Sequence, residues 1–172
     1  MNKISKIKYE IRAVFGILIL LILDQLTKYL AVLHLKDQNP FILIQNVFEL
    51  QYLENRGAAF SMMQGKKWFF IPLTIVFLCV ILFIYLRIPK TKKYFWLRAV
   101  VVLFCSGALG NFIDRIHQGY VVDFFYFSLI NFPIFNVADI YIVVGTVLLV
   151  FLIFFYYKEE DFNVIFPTKR NK

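Results

Sequence analysis

Four long apolar runs, separated by shorter polar stretches, dominate the chain. Residues 13–35 are broken only by Asp24, Gln25, Thr27, Lys28 and His34. Residues 68–86 carry no charge, 99–113 supply fifteen uncharged residues before Asp114, and 140–157 follow directly on Asp139. A helix rises 1.5 Å per residue and needs about 20 apolar residues to cross a hydrocarbon core of about 30 Å. The pattern therefore predicts four membrane-spanning helices over about 13–35, 68–86, 99–113 and 137–157. The third is expected to be short, because it must either end at Asp114 or draw Asp114 and Arg115 into the interface. Pro72 stands near the start of the second run, where its missing N–H costs least. Between the first two runs the period changes: Ile42, Ile44 and Val47, then Phe48, Leu50, Tyr52 and Leu53, alternate over 41–60 and predict short strands. Open strand edges cannot stand in hydrocarbon, so this sheet belongs at the membrane surface. The expected fold class is membrane α-helical, with four transmembrane helices and a small β-sheet cradle.

Composition sharpens this picture. Of 172 residues, 60% are hydrophobic and 17% charged, and 21 Phe and 10 Tyr exclude a disordered chain. Two cysteines, Cys79 and Cys105, both inside apolar runs, exclude a disulfide scaffold and read as packing residues. A net charge of +8 would suit nucleic acid only on a water-exposed face, but here the charge follows the spans. Residues 1–12, 87–98 and 158–172 hold thirteen of the nineteen Lys and Arg and four acids, whereas the remainder holds six bases and seven acids. Cytoplasmic flanks retain positive charge, so both termini are expected in the cytoplasm, with 36–67 and 114–139 outside. The basic N-terminus followed by an apolar run resembles a secretory signal, but no small-residue cleavage site follows, and it reads as a retained first helix. The tail from Lys158 reads as a topological anchor. No internal repeat divides the chain, which is read as one unit over 1–172.

Charges at membrane depth cost at least about 2.5 kcal/mol each and demand a partner or a function. Asp24 and Lys28, four residues apart, share a helical face and can form an ion pair. Asn111, Asp114 and Arg115 lie on one side of the third helix, just beyond Gly107 and Gly110, which allow close helix contact. Asp123 is a lone carboxylate between Val121–Val122 and Phe124–Phe125, where desolvation should raise its pKa. Asp139 can be read as the ordinary acid at a helix N-terminus, but a cap does not account for Asn136 and Asp139 together. Other chemistries lack parts. His34 and His117 have no serine context for a triad, no metal-ligand spacing occurs, and no glycine-rich phosphate loop follows a strand. What remains is a set of aspartates, and two that meet can share a proton, one activating water while the other hydrogen-bonds a carbonyl under attack.

These residues fall into five ordered blocks: D-x-x-T-K at 24–28, E-N-x-G-A-A-F at 54–60, G-N-x-x-D-R at 110–115, V-V-D-F at 121–124 and F-N-x-A-D at 135–139. In this the chain resembles bacterial lipoprotein signal peptidase (signal peptidase II), a family of intramembrane aspartic endopeptidases. The resemblance implies that Asp123 and Asp139 form the catalytic dyad and that Asn55, Asn111, Arg115 and Asn136 line the substrate pocket. It further implies that Asp24, Lys28, Asp114 and Gly57 support that polar strip, and that a loop around 57–63 flanks the cleft. The implied substrate is a diacylglyceryl-modified prolipoprotein, cut before its lipidated cysteine at the outer face of the bacterial cytoplasmic membrane. Membrane lipids are the surroundings, and no cofactor, metal or second copy is required, so a monomer is expected. The reading from another class is a non-enzymatic membrane carrier or lipid-binding subunit, which would more often show repeated halves and polar residues at the midplane.

Overall fold

Helix α1 (Lys3–Leu35) is followed by strands β1 (Phe41–Ile44) and β2 (Phe48–Asn55), then α2 (Lys67–Arg87), α3 (Phe95–His117), β3 (Val121–Tyr126), α4 (Val137–Phe151) and α5 (Glu159–Ile165). This is a computed structural model that describes residues 3–57 and 67–166, so positions 58–63 of the expected loop lie outside the described residues. Four segments, Ile7–Leu35, Trp68–Arg87, Lys92–His117 and Val137–Tyr156, are long and apolar enough to span a membrane. Their burial is the reverse of a water-soluble bundle. Phe154 and Phe155 are more than 70% exposed, whereas Asp24 and Asn136 are fully buried. In water so large an apolar surface would drive association, but in hydrocarbon it is the polar groups that must turn inward.

α3 is longer than its apolar run suggested. It continues past Ile113 through Asp114 and Arg115 to His117 because both charges find partners inside the protein. Asp114 Oδ2 lies 2.9 Å from Lys28 Nζ, and Arg115 Nη2 donates to the Gly57 carbonyl at 3.2 Å. A paired interior charge does not carry the cost of one facing lipid, so counting uncharged residues underestimates such a helix.

α3 is also the central helix, packed against α1, α2 and α4. Glycine sets its distance from α4: a methyl group added at Gly107 would stand 2.5 Å from the Ala138 carbonyl oxygen and 2.8 Å from Ile142, and one at Gly145 would stand 2.9 Å from the Phe104 ring. Gly107→Ala is expected to destabilise the bundle by about 1–3 kcal/mol through overpacking, seen as a lowered Tm of the detergent-solubilised protein.

The sheet has the order β1–β2–β3, all antiparallel. The alternation in 41–55 anticipates β1 and β2 but not β3, whose Val121, Val122, Asp123 and Phe124 are all buried. A strand covered on both faces reads as an unbroken apolar run. Val122 and Phe124 pack on Ala31 of α1, which leaves Val121 and Asp123 on the opposite face. Three residue steps on β2, Leu50 to Leu53, oppose two on β3, Phe125 to Asp123, a bulge that places Asn55 diagonally beside Asp123. The β3 ladder continues onto the start of α4, because Phe125 and Phe135 exchange backbone hydrogen bonds of 2.9 and 3.0 Å.

The opposite end of the bundle is closed by a buried cluster that includes Ile81, Tyr85, Leu97, Val100, Leu152, Tyr157 and Ile165. The tail is thus more than a charged anchor. α5 folds back, with Ile165 buried, Asp161 paired with Lys93, and the Tyr94 hydroxyl donating to the Asp161 carbonyl at 3.2 Å. Cys105 is partly buried beside this cluster, whereas Cys79 lies on an exposed face of α2 and is not a packing residue.

Candidate active site

Polar side chains from α1, α3, β2, β3 and α4 converge at the sheet end of the bundle. Lys28 is the hub. Its ammonium, buried to 3% exposure, lies 2.9 Å from each of Asp24 Oδ2, Asp114 Oδ2 and Asn111 Oδ1, so all three of its N–H donors have an acceptor. Asp24 Oδ1 accepts the backbone N–H of Ala138 at 2.9 Å, and Asp114 Oδ2 accepts that of Val122 at 3.4 Å. The ion pair predicted within α1 therefore extends to a third member, and its two acids hold α4 and β3 in place. Asp114 pairs with Lys28 and not with the adjacent Arg115.

Three asparagines stand between this hub and two carboxylates, and each is oriented by the same device. Asn55 Oδ1 accepts from the Gly57 N–H at 2.9 Å, so its Nδ2 donates to Asp123 Oδ2 at 2.8 Å. Asn111 Oδ1 accepts from Lys28, so its Nδ2 donates to Asp139 Oδ1 at 2.8 Å. Asn136 Oδ1 accepts from the Asp139 N–H at 3.1 Å, so its Nδ2 donates to Asp123 Oδ1 at 2.6 Å. An amide whose oxygen is already engaged can present only N–H to its other neighbour. Asp139 completes a capping box by accepting the Asn136 N–H at 3.1 Å. The cap and the position beside Asp123 are thus two consequences of one turn.

Asp123, 1% exposed, lies on β3 outside the spans. Burial, with the charge of Asp139 adding to it, pushes its pKa up to about 7 against the opposing hydrogen bonds from Asn55 and Asn136. Asp123 and Asp139 line one cavity of about 460 Å³ together with Asn55, Asn111 and Arg115, walled on the other side by apolar residues that include Phe132, Ile140 and Val143. Val143 is 61% exposed, so this wall ends at the lipid-facing surface. Arg115 is held against Gly57 and lies over the Phe70 ring at 5.1 Å. Among the described residues no group of three or more His, Cys, Asp or Glu could hold a metal ion.

The structure adds residues that the sequence did not single out. Gln25 donates to Asp114 Oδ1 at 3.0 Å and to the Gly110 carbonyl at 3.3 Å, and a polar side chain at membrane depth was the signal that could have found it. Phe135, the first residue of the F-N-x-A-D block, acts through its backbone, which bonds to that of Phe125.

Four membrane spans around an amide-braced pair of carboxylates, in a cavity reaching the lipid-facing surface, are the architecture of a polytopic membrane enzyme. Two solved bacterial membrane enzymes have a similar overall fold: one determined by the in meso method at 2.3 Å resolution (TM-score 0.72, 31% identity, 83% of this chain and 87% of the other) and one at 1.9 Å (TM-score 0.71, 30% identity, 85% and 94%). The family described as signal peptidase (SPase) II matches residues 16–155. Lipoprotein signal peptidases of Streptococcus thermophilus (strain CNRZ 1066) and Clostridioides difficile (strain 630) are each 45% identical over 146 residues. These alignments cover 85% of this chain and 92% of the first relative, and 84% and 97% for the second. The chain belongs to the signal peptidase II family and is a multi-pass bacterial membrane protease. The carrier or lipid-binding reading finds no support.

Proposed function

We propose that this membrane protease removes the signal peptide of diacylglyceryl-modified prolipoproteins by aspartic chemistry, cutting before the lipidated cysteine. The observation that carries this reading is the pair Asp123 and Asp139 in one cavity, each accepting two N–H donors. Burial holds Asp123 near a pKa of 7, which supports a pair sharing one proton at neutral pH. Asp139 takes a proton from water as its oxygen adds to the scissile carbonyl, and Asp123 gives its proton to the carbonyl oxygen. Collapse of the tetrahedral species breaks the C–N bond: the departing amine of the lipidated cysteine takes up the proton held by Asp139, and one hydroxyl proton returns to Asp123 as the carbonyl re-forms. Asn55, Asn111 and Asn136 hold the carboxylates, and Arg115 lines the pocket where the peptide backbone would lie. Asp24, Lys28, Asp114 and Gly57 fix that arrangement, and one chain holds all the groups the reaction needs.

The distribution of Lys and Arg supports an extracytoplasmic site. The flanks 1–12, 87–98 and 158–172 hold most of the positive charge, and their described residues, 3–12, 87–98 and 158–166, belong to the end of the bundle opposite the sheet, which supports cytoplasmic termini and carboxylates that face outward.

Purified protein should cleave a diacylglyceryl-modified precursor and leave the unlipidated precursor intact. Equal cleavage of both would refute the substrate class. In the same assay the sign of the pH dependence follows from Asp123. Its pKa is raised, so the proton is present below about pH 7 and lost above it, and kcat/KM should fall about tenfold per pH unit on the alkaline side. A flat profile from pH 6 to pH 9 would remove Asp123 as the proton donor.

A further inference from the structure

Glu54 opens the second sequence block, yet it faces away from the carboxylates. Side chains alternate along a strand, so Asn55 turns to Asp123, and Glu54, paired in register with Val122, turns to the α1 side of the sheet. There its carboxylate gathers three donors. Oε1 accepts from the Tyr52 hydroxyl at 3.3 Å and from Lys36 Nζ at 3.4 Å, and Oε2 accepts from Arg56 Nη2 at 2.9 Å. Two rings back the cations: Arg56 lies over Tyr120 at 5.2 Å and Lys36 over Tyr52 at 5.7 Å. Lys36 directly follows α1, and Tyr120 directly precedes β3. One carboxylate thus joins the end of α1, the last residues of β2 and the turn into β3, on the face of the sheet opposite the cavity. β2 ends at Asn55, and the chain just beyond it carries bonds that the site uses. The Gly57 N–H orients Asn55, and the Gly57 carbonyl accepts from Arg115. Arg56 stands between Asn55 and Gly57, and its side chain is held by Glu54 and the Tyr120 ring.

We propose that Glu54 is a positioning residue for proteolysis: through Arg56 it anchors the turn at 55–57 from the back of the sheet, so that Asn55 reaches Asp123 and Gly57 holds Arg115. The role rests on the protease reading above and adds to it a residue that touches neither carboxylate. Three observations carry it. Tyr52, Glu54 and Arg56 are spaced two apart and share one face, so the bonds among them resist rotation of the strand end, the motion that would swing Asn55 out of line. Lys36 ties the same carboxylate to α1, the helix whose Lys28 turns Asn111 toward Asp139, so both carboxylates are set from one helix. The Arg56 guanidinium also holds the Glu54 carboxyl below the usual carboxylate range, so the clamp stays charged throughout the neutral range. The consequence reaches Asp123. The Asn55 bond favours its ionised form and opposes the upward push of burial. Loss of the clamp weakens that bond, the Asp123 pKa rises, and the alkaline limb of kcat/KM moves to higher pH. Asp139 and Lys28, whose charges also bear on Asp123, are unaltered, and any retreat of Arg115 acts in the same direction.

The test uses full-length protein in detergent and a diacylglyceryl-modified precursor. Wild type, Glu54→Ala, Arg56→Ala and the double variant are compared from pH 6 to pH 9, with Tm measured on the same samples. The Arg56 side chain, 59% exposed, can be truncated without opening the core, so the result does not depend on the folding of Glu54→Ala. Each single variant should lower kcat at least about tenfold, the effect of a small misplacement, with KM changed by less than about twofold. Each should also move the alkaline limb up by about half a pH unit, the scale of one weakened hydrogen bond. The double variant should lose about as much as either single one, because both break the same clamp. A merely structural pair would lower Tm and leave the limb where wild type has it. An unmoved limb in both single variants, or losses that multiply in the double variant, overturns the role. Cleavage by wild type with unaltered kinetics in the variants refutes the positioning role alone, whereas no cleavage by wild type refutes the protease reading with it.

Discussion

Asp123→Asn and Asp139→Asn should each lower precursor cleavage by at least about 10³-fold, the scale on which a positioned acid or base contributes, while the protein remains folded and inserted. Each carboxylate accepts two N–H donors, Asp123 from Asn55 and Asn136, Asp139 from Asn111 and the Asn136 backbone. An Asn has a single acceptor oxygen, so each variant leaves one donor unmatched, at a cost of about 1–3 kcal/mol. That loss lowers Tm without unfolding a bundle whose closing cluster lies at the other end. Chemistry and stability therefore separate in one experiment: steady-state cleavage of lipidated precursor beside thermal unfolding of the same samples. Turnover by either variant above about a tenth of wild type would end the dyad reading.

Removing Lys28 should have the largest effect on stability. Lys28→Met leaves Asp24, fully buried, and Asp114, 5% exposed, without their shared cation. Breaking a buried pair in this way costs about 3–5 kcal/mol. The three acceptors around Nζ, each at 2.9 Å, tie α1 to α3 and, through Asp24 and Asp114, to α4 and β3. The expected result is a much lower Tm in detergent and poor recovery of folded protein. The triple variant Asp24→Asn, Lys28→Met, Asp114→Asn removes both charges together with their partner and should recover most of the lost Tm, because no buried charge then stands uncompensated. It should not recover full activity, since Asn111 would lack the donor that turns its Nδ2 toward Asp139. Equal instability of the single and triple variants would show that packing around the Lys28 stem, rather than charge, dominates.

Much of this molecule is legible in one dimension. An apolar run long enough to cross a bilayer, a loop with period-two alternation and basic residues gathered between particular runs are local patterns, and they led to four spans and the β1–β2 pair. Charge in hydrocarbon is costly wherever it sits, so composition at membrane depth singled out Asp24, Lys28, Asn111, Asp114, Arg115, Asp123, Asn136 and Asp139. β3 was missed because Val121 to Phe124 are buried on both faces and show no alternation. The end of α3 was missed because the partners that make Asp114 and Arg115 tolerable come from distant parts of the chain, Lys28 and Gly57. The docking of α5 was missed because a short charged segment reads as solvent-exposed until Lys93 and Tyr94 are brought beside it.

The sequence by itself determined which segments lie in lipid and which side chains need a partner there, because transfer energies and helix periods depend on residue type and spacing alone. Tertiary structure decided who the partners are. Asn111 shared one side of the third helix with Asp114 and Arg115, but the close packing of α3 on α4 at Gly107 brought Asp139 within its reach and Lys28 turned its Nδ2 there. Asp123 was a lone acid until the β2 bulge and the Phe125–Phe135 bridge brought Asn55 and Asn136 to its two oxygens. The physical reason is directional: a hydrogen bond needs its donor within about 3 Å and aligned, and for residues tens of positions apart only the folded backbone sets that geometry.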